Sequence, residues 1–410
     1  LINQVVLIDY IIIILGGKSM NILIIGNGFD LAHGLPTKYN DFLKFIQAFK
    51  SITNNQQIMT SGGLNNIKKP MYEYMDRLCY EETYKNELIK LVTDNIWIDY
   101  FISRQTFINE NWIDFESEIA KVIKSLDRDM HYKHKICSID DEIGVLSNSF
   151  FDKYYKTYSL EKFGYGVKNG KVTFRNIKEQ LYTDLNKLIR ALEIYIADYI
   201  EKMECQVFSP DVRNIAFDKI LSFNYTKTYA RVYDTTTLAE YDYIHGKADI
   251  DNSINTNSMV LGIDEYLSDD KKDKETDFIV FKKFYQRIYK ETGCKYKDWV
   301  ARIRSNEPII NRKYSYERED GTKVYTGESA VRHNLYIFGH SLDVTDKDIL
   351  RELILNDNVY TTIFYLNKDV MGQQIANLVK IIGQDELIKR TGGSSKTIEF
   401  KLQSDMKLRE

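Results

Sequence analysis

The chain has 410 residues, 43% hydrophobic and 28% charged, enough to bury a large core in two lobes and unlike the composition of a disordered chain. Its formal net charge of -3 supplies no overall field for nucleic acid and no basic-aromatic stripe stands out, so no nucleic-acid partner is expected. The four scattered cysteines, Cys79, Cys137, Cys205 and Cys294, form neither a disulfide framework nor a pair at zinc-ligand spacing, which argues against a structural zinc site and fits a reducing cytoplasm.

In chain order, Val5 to Leu15 is an apolar run broken by Asp9, too short to span a bilayer and without the preceding basic residues of a secretory signal. No membrane partner is expected. Residues 1–19 read as an extension with Met20 as the natural start, the competing view being a short extra strand or helix. Asn21 to Ile25 (NILII) reads as a buried parallel strand running into Gly26 and Gly28. Tyr39, Phe42, Leu43, Phe45, Ile46 and Phe49 then recur at helical spacing, giving the helix that follows the turn. Ser51 to Pro70, polar and containing Gly62-Gly63, reads as a linker.

Helical periodicity continues near Tyr72 to Trp97, Trp112 to Leu126 and Ile177 to Met203, where Leu181, Leu185, Leu188, Leu192 and Ile196 mark a long amphipathic helix. Small hairpins are expected at Gly166 to Phe174, around Asn169-Gly170, and at Tyr314 to Tyr325, around Asp320-Gly321. Strands are predicted at Lys219 to Phe223, Tyr241 to Ile244, Met259 to Gly262, Leu335 to Phe338 and Tyr360 to Leu366. Their alternation with helices is that of a Rossmann-type parallel sheet with helices on both faces, built from 20–50 and 211–410, with 51–210 as an inserted, mainly helical lobe.

The chemistry gathers at strand ends. Gly26 and Gly28 allow backbone amides to approach a phosphate with no side chain between. The full dinucleotide fingerprint is incomplete, because Leu31 stands where a third glycine is wanted and the next comes at Gly34. Polar clusters close three other predicted strands, at Ser222-Phe223-Asn224-Tyr225-Thr226, His245-Gly246 and Gly339-His340-Ser341-Leu342-Asp343. In open α/β sheets such carboxyl ends converge on one crevice. Thr345-Asp346-Lys347-Asp348 is patterned like a capping box, so Gly339 to Asp343 forms a second strand-to-helix turn. Asp343 either holds a ribose hydroxyl or solvates its turn, and Asn367, at a strand end, faces the adenosine side.

Four pieces in this order resemble a divergent sirtuin-type NAD-binding core, and the whole resembles the AbiH family of bacteriophage abortive infection proteins. The stretch Ile24 to Phe42, with Trp112-Ile113-Asp114-Phe115-Glu116, Phe223-Asn224-Tyr225-Thr226 and Phe338-Gly339-His340-Ser341, is similar to AbiH motifs, over Met20 to about Asn367. Gly26-Asn27-Gly28-Phe29-Asp30 is similar to the sirtuin G-A-G-x-S, followed at the same offset by Gly34-Leu35-Pro36. Ser222 to Thr226 is similar to T-Q-N-x-D, His245-Gly246 to the catalytic H-G, and Gly339 to Leu342 to G-T-S-L. The resemblance implies that Gly26, Asn27, Gly28, Phe29, Asp30, Gly339, Ser341 and Asp343 bind NAD. Gly26 and Gly28 lie against the pyrophosphate, Asn224 orients the nicotinamide ribose or a water, and His245 is the general base. Histidine suits that role, since it titrates near neutral pH and ribosyl cleavage passes through an oxocarbenium-like state.

Three departures shape what is expected. Asp30 replaces the motif's serine, a carboxylate that repels a pyrophosphate unless it turns away. Thr37-Lys38-Tyr39 replaces D-F-R, so the arginine is lost, and without paired C-x-x-C the acyl-peptide groove is not expected. The expected function is therefore hydrolysis of NAD in antiphage defence, with a phage-derived trigger and homo-oligomerisation as candidate partners and no metal. The alternatives are a nucleotide-binding sensor without turnover and a nuclease at Asp114 and Glu118. For Asp114, Glu116 and Glu118 a solvated helix face is favoured. His245 has a bland alternative as a satisfied histidine at a strand end. His33 is placed to assist binding beside the glycine turn, and His131 and His134 read as surface residues.

Overall fold

A computed structural model describes residues 19–53, 69–80, 82–108, 113–128, 130, 174–234, 238–305, 309–318, 320–394 and 396–409. The chain divides into two compact units. One comprises the N-terminal stretch through Gly34, Cys205–Ile244 and Gly293 onward; the other comprises Leu35–Glu204 and His245–Thr292.

The first unit is a doubly wound α/β domain. Its sheet has six parallel strands, β1 Asn21–Ile25, β2 Lys219–Ser222, β3 Glu240–Tyr243, β4 His333–Phe338, β5 Val359–Tyr365 and β6 Ile398–Leu402. They lie in the order β3-β2-β1-β4-β5-β6, with Ile24 level with Leu221 on one side and Ile337 on the other. From Ile22 to Ile25 β1 is apolar because both its faces are covered. Ile22 and Ile24 enter one core with Leu335, Ile337 and Ile363, closed by helices Tyr296–Ser305, Lys347–Ile354 and Lys368–Ile382. Leu23 and Ile25 enter the opposite core with Phe29, Phe217, Tyr229 and Phe338.

Two sequence expectations change here. Ile398–Leu402 is an additional strand, at the sheet edge, where alternating Glu399 and Lys401 had masked it. Met259 to Gly262, in the second unit, is buried but not a strand; only Ile263 forms an isolated bridge, with Lys282. The Gln286 side chain replaces a neighbouring strand, accepting from Leu261 N–H at 3.0 Å and donating to Leu261 O at 3.1 Å. The hairpin around Asp320-Gly321 is present as antiparallel Ile309–Glu317 and Lys323–Val331.

The second unit is mainly helical, with helices Tyr39–Thr53, Lys69–Tyr80, Glu82–Val92, Ile96–Ile108, Phe115–Arg128 and Phe174–Ile194, the last continuing as a π-helix over Tyr195–Ile200. Phe115 stacks on Tyr39 and Phe101, and Phe42 and Phe45 meet Tyr195. The helix expected from Trp112 begins at Phe115 because Asp114 caps it, accepting from Glu116 N–H at 3.0 Å. Trp112, His131, His134, the segment before Ser19 and the hairpin expected at 166–174, apart from Phe174, which opens a helix, lie outside the described residues. Among the described residues no helix is long and apolar enough to cross a membrane.

Candidate functional site

The order β3-β2-β1-β4-β5-β6 reverses direction between β1 and β4, and in open α/β sheets ligands lie outside the carboxyl ends at this switch point. Here the turns after β1 and β4 pack directly on each other. Gly26 N–H donates to Phe338 O at 3.3 Å and Gly28 N–H to Gly339 O at 2.8 Å. A Cβ on Gly26 would stand 2.8 Å from Gly339 O, and one on Gly28 2.8 Å from Gly339 Cα. Gly339 has φ +66°, and its Cβ would stand 2.1 Å from Phe29 N. The three glycines thus let two backbones touch. The amides of Gly26 and Gly28, which the sequence assigns to phosphate, have backbone acceptors.

The turn after β2 joins them at the same end of the sheet. Asn224 is buried and its Nδ2 donates to Gly26 O at 2.9 Å, while its own N–H is held by Ser222 Oγ at 3.2 Å. Asp30 is 1% exposed and accepts from Thr226 Oγ1 at 2.9 and 2.8 Å; Thr228 Oγ1 in turn lies 3.0 Å from Thr226 Oγ1. Asp30 is thus held within the wall by Thr226. Phe29 is fully buried against Phe338, their ring centroids 5.7 Å apart. Asn27 and Ser341 are the exposed polar members of the two turns.

His33 is buried with both ring nitrogens engaged. Nδ1 lies 2.7 Å from Phe29 O, so it carries the proton; Nε2 then accepts from Tyr233 OH at 2.7 Å, and that hydroxyl accepts from Ser209 N–H at 2.6 Å. Burial lowers the pKa of His33 despite the Phe29 bond, with Arg409 adding to the effect. Burial also raises the Cys205 thiol pKa.

Sequence reading left several functional neighbours unassigned in the β4 turn. His340 is buried, its Nδ1 accepting from Leu342 N–H at 2.9 Å and its Nε2 3.5 Å from Asp346 Oδ2, with the ring edge-on to Phe223. Leu342 has φ +56°, a left-handed conformation that costs a branched residue strain. From helix Lys368–Ile382, Gln374 donates to His340 O at 3.2 Å and Asn377 to Ser341 O at 2.9 Å. The signal for these two was an amide pair at i, i+3 on the buried face of an amphipathic helix. Asp343 caps the following turn by accepting from Thr345 N–H at 3.0 Å, and Asn367 caps its helix by accepting from Val370 N–H at 3.0 Å.

The first unit therefore gathers Gly26, Asn27, Gly28, Phe29, Asp30, Asn224, Gly339, Ser341 and Asp343 at the carboxyl ends of β1, β2 and β4. His245 is the first residue of the second unit's return segment, 8% exposed, with its carbonyl accepting from Val260 N–H at 2.8 Å. The acidic run at 114–118 is no solvated face. Glu118 is buried and accepts from the Tyr100 hydroxyl and from Arg104 Nε at 3.2 Å, and Glu116 pairs with Lys283 at 2.8 Å. Burial opposes the charge of Glu118, but bonds from Lys121 and Tyr100 prevail and hold its pKa below the usual value. Among the described residues no three His, Cys, Asp or Glu side chains are grouped to hold a metal ion.

The polar groups this arrangement leaves exposed are Asn27 and Ser341, while its glycines are taken up by the packing of the two turns. The family model described as Bacteriophage abortive infection AbiH matches residues 22–366. No curated protein and no solved structure matches the chain.

Proposed function

Because the chain belongs to the bacteriophage abortive infection AbiH family, we propose that it acts in antiphage defence by binding NAD at the switch point of its sheet and hydrolysing it. The observation that carries this reading is the meeting of the Gly26–Gly28 and Gly339 turns between β1 and β4. The glycines let the two turns pack into one wall, and Asn27 and Ser341 supply its exposed polar groups for the ligand.

Asn224 orients the nicotinamide ribose or the attacking water, and Asp343, beyond capping its turn, accepts from a ribose hydroxyl. In the reaction the N-glycosidic bond breaks with its electron pair leaving on nicotinamide. Water attacks the anomeric carbon, and His245 takes the water's proton, giving ADP-ribose. Loss of NAD then arrests the infected cell. A phage component raises this turnover above its basal rate, and assembly of several copies accompanies it.

A second reading, nucleotide sensing without turnover, is favoured by one observation: the Gly26 and Gly28 amides and the Asp30 carboxylate already have partners within the protein. Cellular NAD separates the two. In cells carrying the system and challenged with phage, NAD falls with the wild type and is preserved with His245→Ala; protection without any fall in NAD would favour the sensor.

A further inference from the structure

Beyond Gly246 the chain makes a long irregular excursion before Met259, and this excursion is built on one buried carboxylate. Glu193, on helix Phe174–Ile194, has no exposed surface. It accepts from Arg190 Nη1 at 2.8 Å, Asp249 N–H at 3.1 Å, Asn252 Nδ2 at 2.7 Å and the Asn257 side-chain amide. Arg190, itself almost fully buried, donates to Asp249 O at 3.3 Å and Ile250 O at 3.2 Å, and its other edge is fixed by Glu87 at 2.8 Å. Both chemical halves of one ion pair therefore face the loop: the carboxylate takes its donors and the guanidinium its carbonyls. A buried ion pair with this many additional hydrogen bonds fixes geometry more than it adds stability.

The clamp reaches His245 through the loop's two ends. Val260 N–H donates to His245 O at 2.8 Å, and Met259 N–H is held by Asn257 Oδ1 at 2.8 Å. Gly246 has φ +73°, and a Cβ there would stand 2.1 Å from Ser258 O, so His245-Gly246 and Ser258-Met259 lie backbone against backbone. Lys290 secures the same end by donating to Met259 O.

We propose that Glu193 is the positioning residue for His245, setting its backbone through the loop from Gly246 to Met259. The inference rests on the reading in which His245 is the general base. Misplacing a base by about 1 Å can cost two orders of magnitude in turnover. Glu193→Gln keeps the shape but loses the charge, and Asn252→Ala removes one loop anchor while leaving the ion pair intact. For both variants, steady-state nicotinamide release from NAD is measured beside the His245 ring resonances in protein labelled at histidine Cε1, assigned by their disappearance in His245→Ala.

The expected result is a fall in kcat of about tenfold or more with KM changed less than about twofold, together with a shift or broadening of the His245 signal. An unmoved His245 signal in a folded variant overturns the proposal, as does an unchanged kcat. Should Glu193→Gln fail to fold, Asn252→Ala decides the matter by the same two readouts. If His245→Ala itself keeps full turnover, the catalytic reading fails, and the ring resonance alone decides whether Glu193 positions His245.

Discussion

Three glycines of the α/β unit form a graded test of how its two turns are packed. Gly372 lies exposed in helix Lys368–Ile382 with nothing within 4 Å of an added Cβ, so Gly372→Ala should stabilise by about 0.5–1 kcal/mol through helix propensity. Gly34 has φ +79° and equally open surroundings, so Gly34→Ala carries only the left-handed backbone cost, about 1–2 kcal/mol. Gly339 adds to that same cost a Cβ 2.1 Å from Phe29 N and 2.5 Å from Gly28 C, backbone atoms that cannot swing aside. Overpacking of this kind contributes a further 1–3 kcal/mol, giving about 2–5 kcal/mol in all. Urea unfolding followed by circular dichroism, with the slope checked for constancy across the series, measures the three differences. If Gly339→Ala falls within about 0.5 kcal/mol of Gly34→Ala, the two turns are not pressed together as described and the packing argument is wrong.

Asn224→Ala removes one of two donors to Gly26 O, which keeps its bond from Phe29 N–H at 2.8 Å; a loss of about 0.5–1.5 kcal/mol is expected in the same unfolding assay, and an unchanged midpoint would contradict it. Burial holds His33 and His333 neutral in the folded protein, Arg302 adding to the effect at His333, so the unfolded chain binds protons that the native one refuses. Stability is then fully present above pH 6.5 and falls as the pH drops below it, by up to about 1.4 kcal/mol per pH unit for each histidine. His33→Gln should flatten that slope in urea titrations between about pH 7.5 and 5.5, and an identical slope would refute the assignment. Glu118→Ala strips Tyr100, Arg104 and Lys121 of their shared acceptor and should cost about 3–5 kcal/mol while producing no change in any metal-dependent loss of nucleic acid. A nuclease activity lost in a folded Glu118→Gln protein would reverse that reading.

The parallel core was legible because β1, β2, β4 and β5 are apolar runs buried on both faces, a pattern that needs no partner to be recognised. Met259 to Gly262 carries the same apolar signal, yet it is ordered by the side chain of Gln286 rather than by a strand, and only tertiary structure reveals that substitution. Glu118 was misread for a related reason: a carboxylate on a helix looks solvated until Tyr100 and Arg104 of another helix are brought to it. At the site, a tight glycine turn at 26 and 28 was visible in the sequence, and Gly339 was singled out by resemblance. That each answers to the other turn, about 310 residues away, was not visible, because backbone partners leave no mark in a side-chain sequence. Gln374 and Asn377 likewise read as ordinary helix amides until the β4 turn is placed against them.

The most direct test is to incubate purified protein with NAD and follow NAD and nicotinamide together, with Asn224→Ala and His245→Ala in parallel. The account predicts nicotinamide released in step with NAD consumed by the wild type and by neither variant; NAD left both intact and unbound by a folded wild-type protein would contradict it.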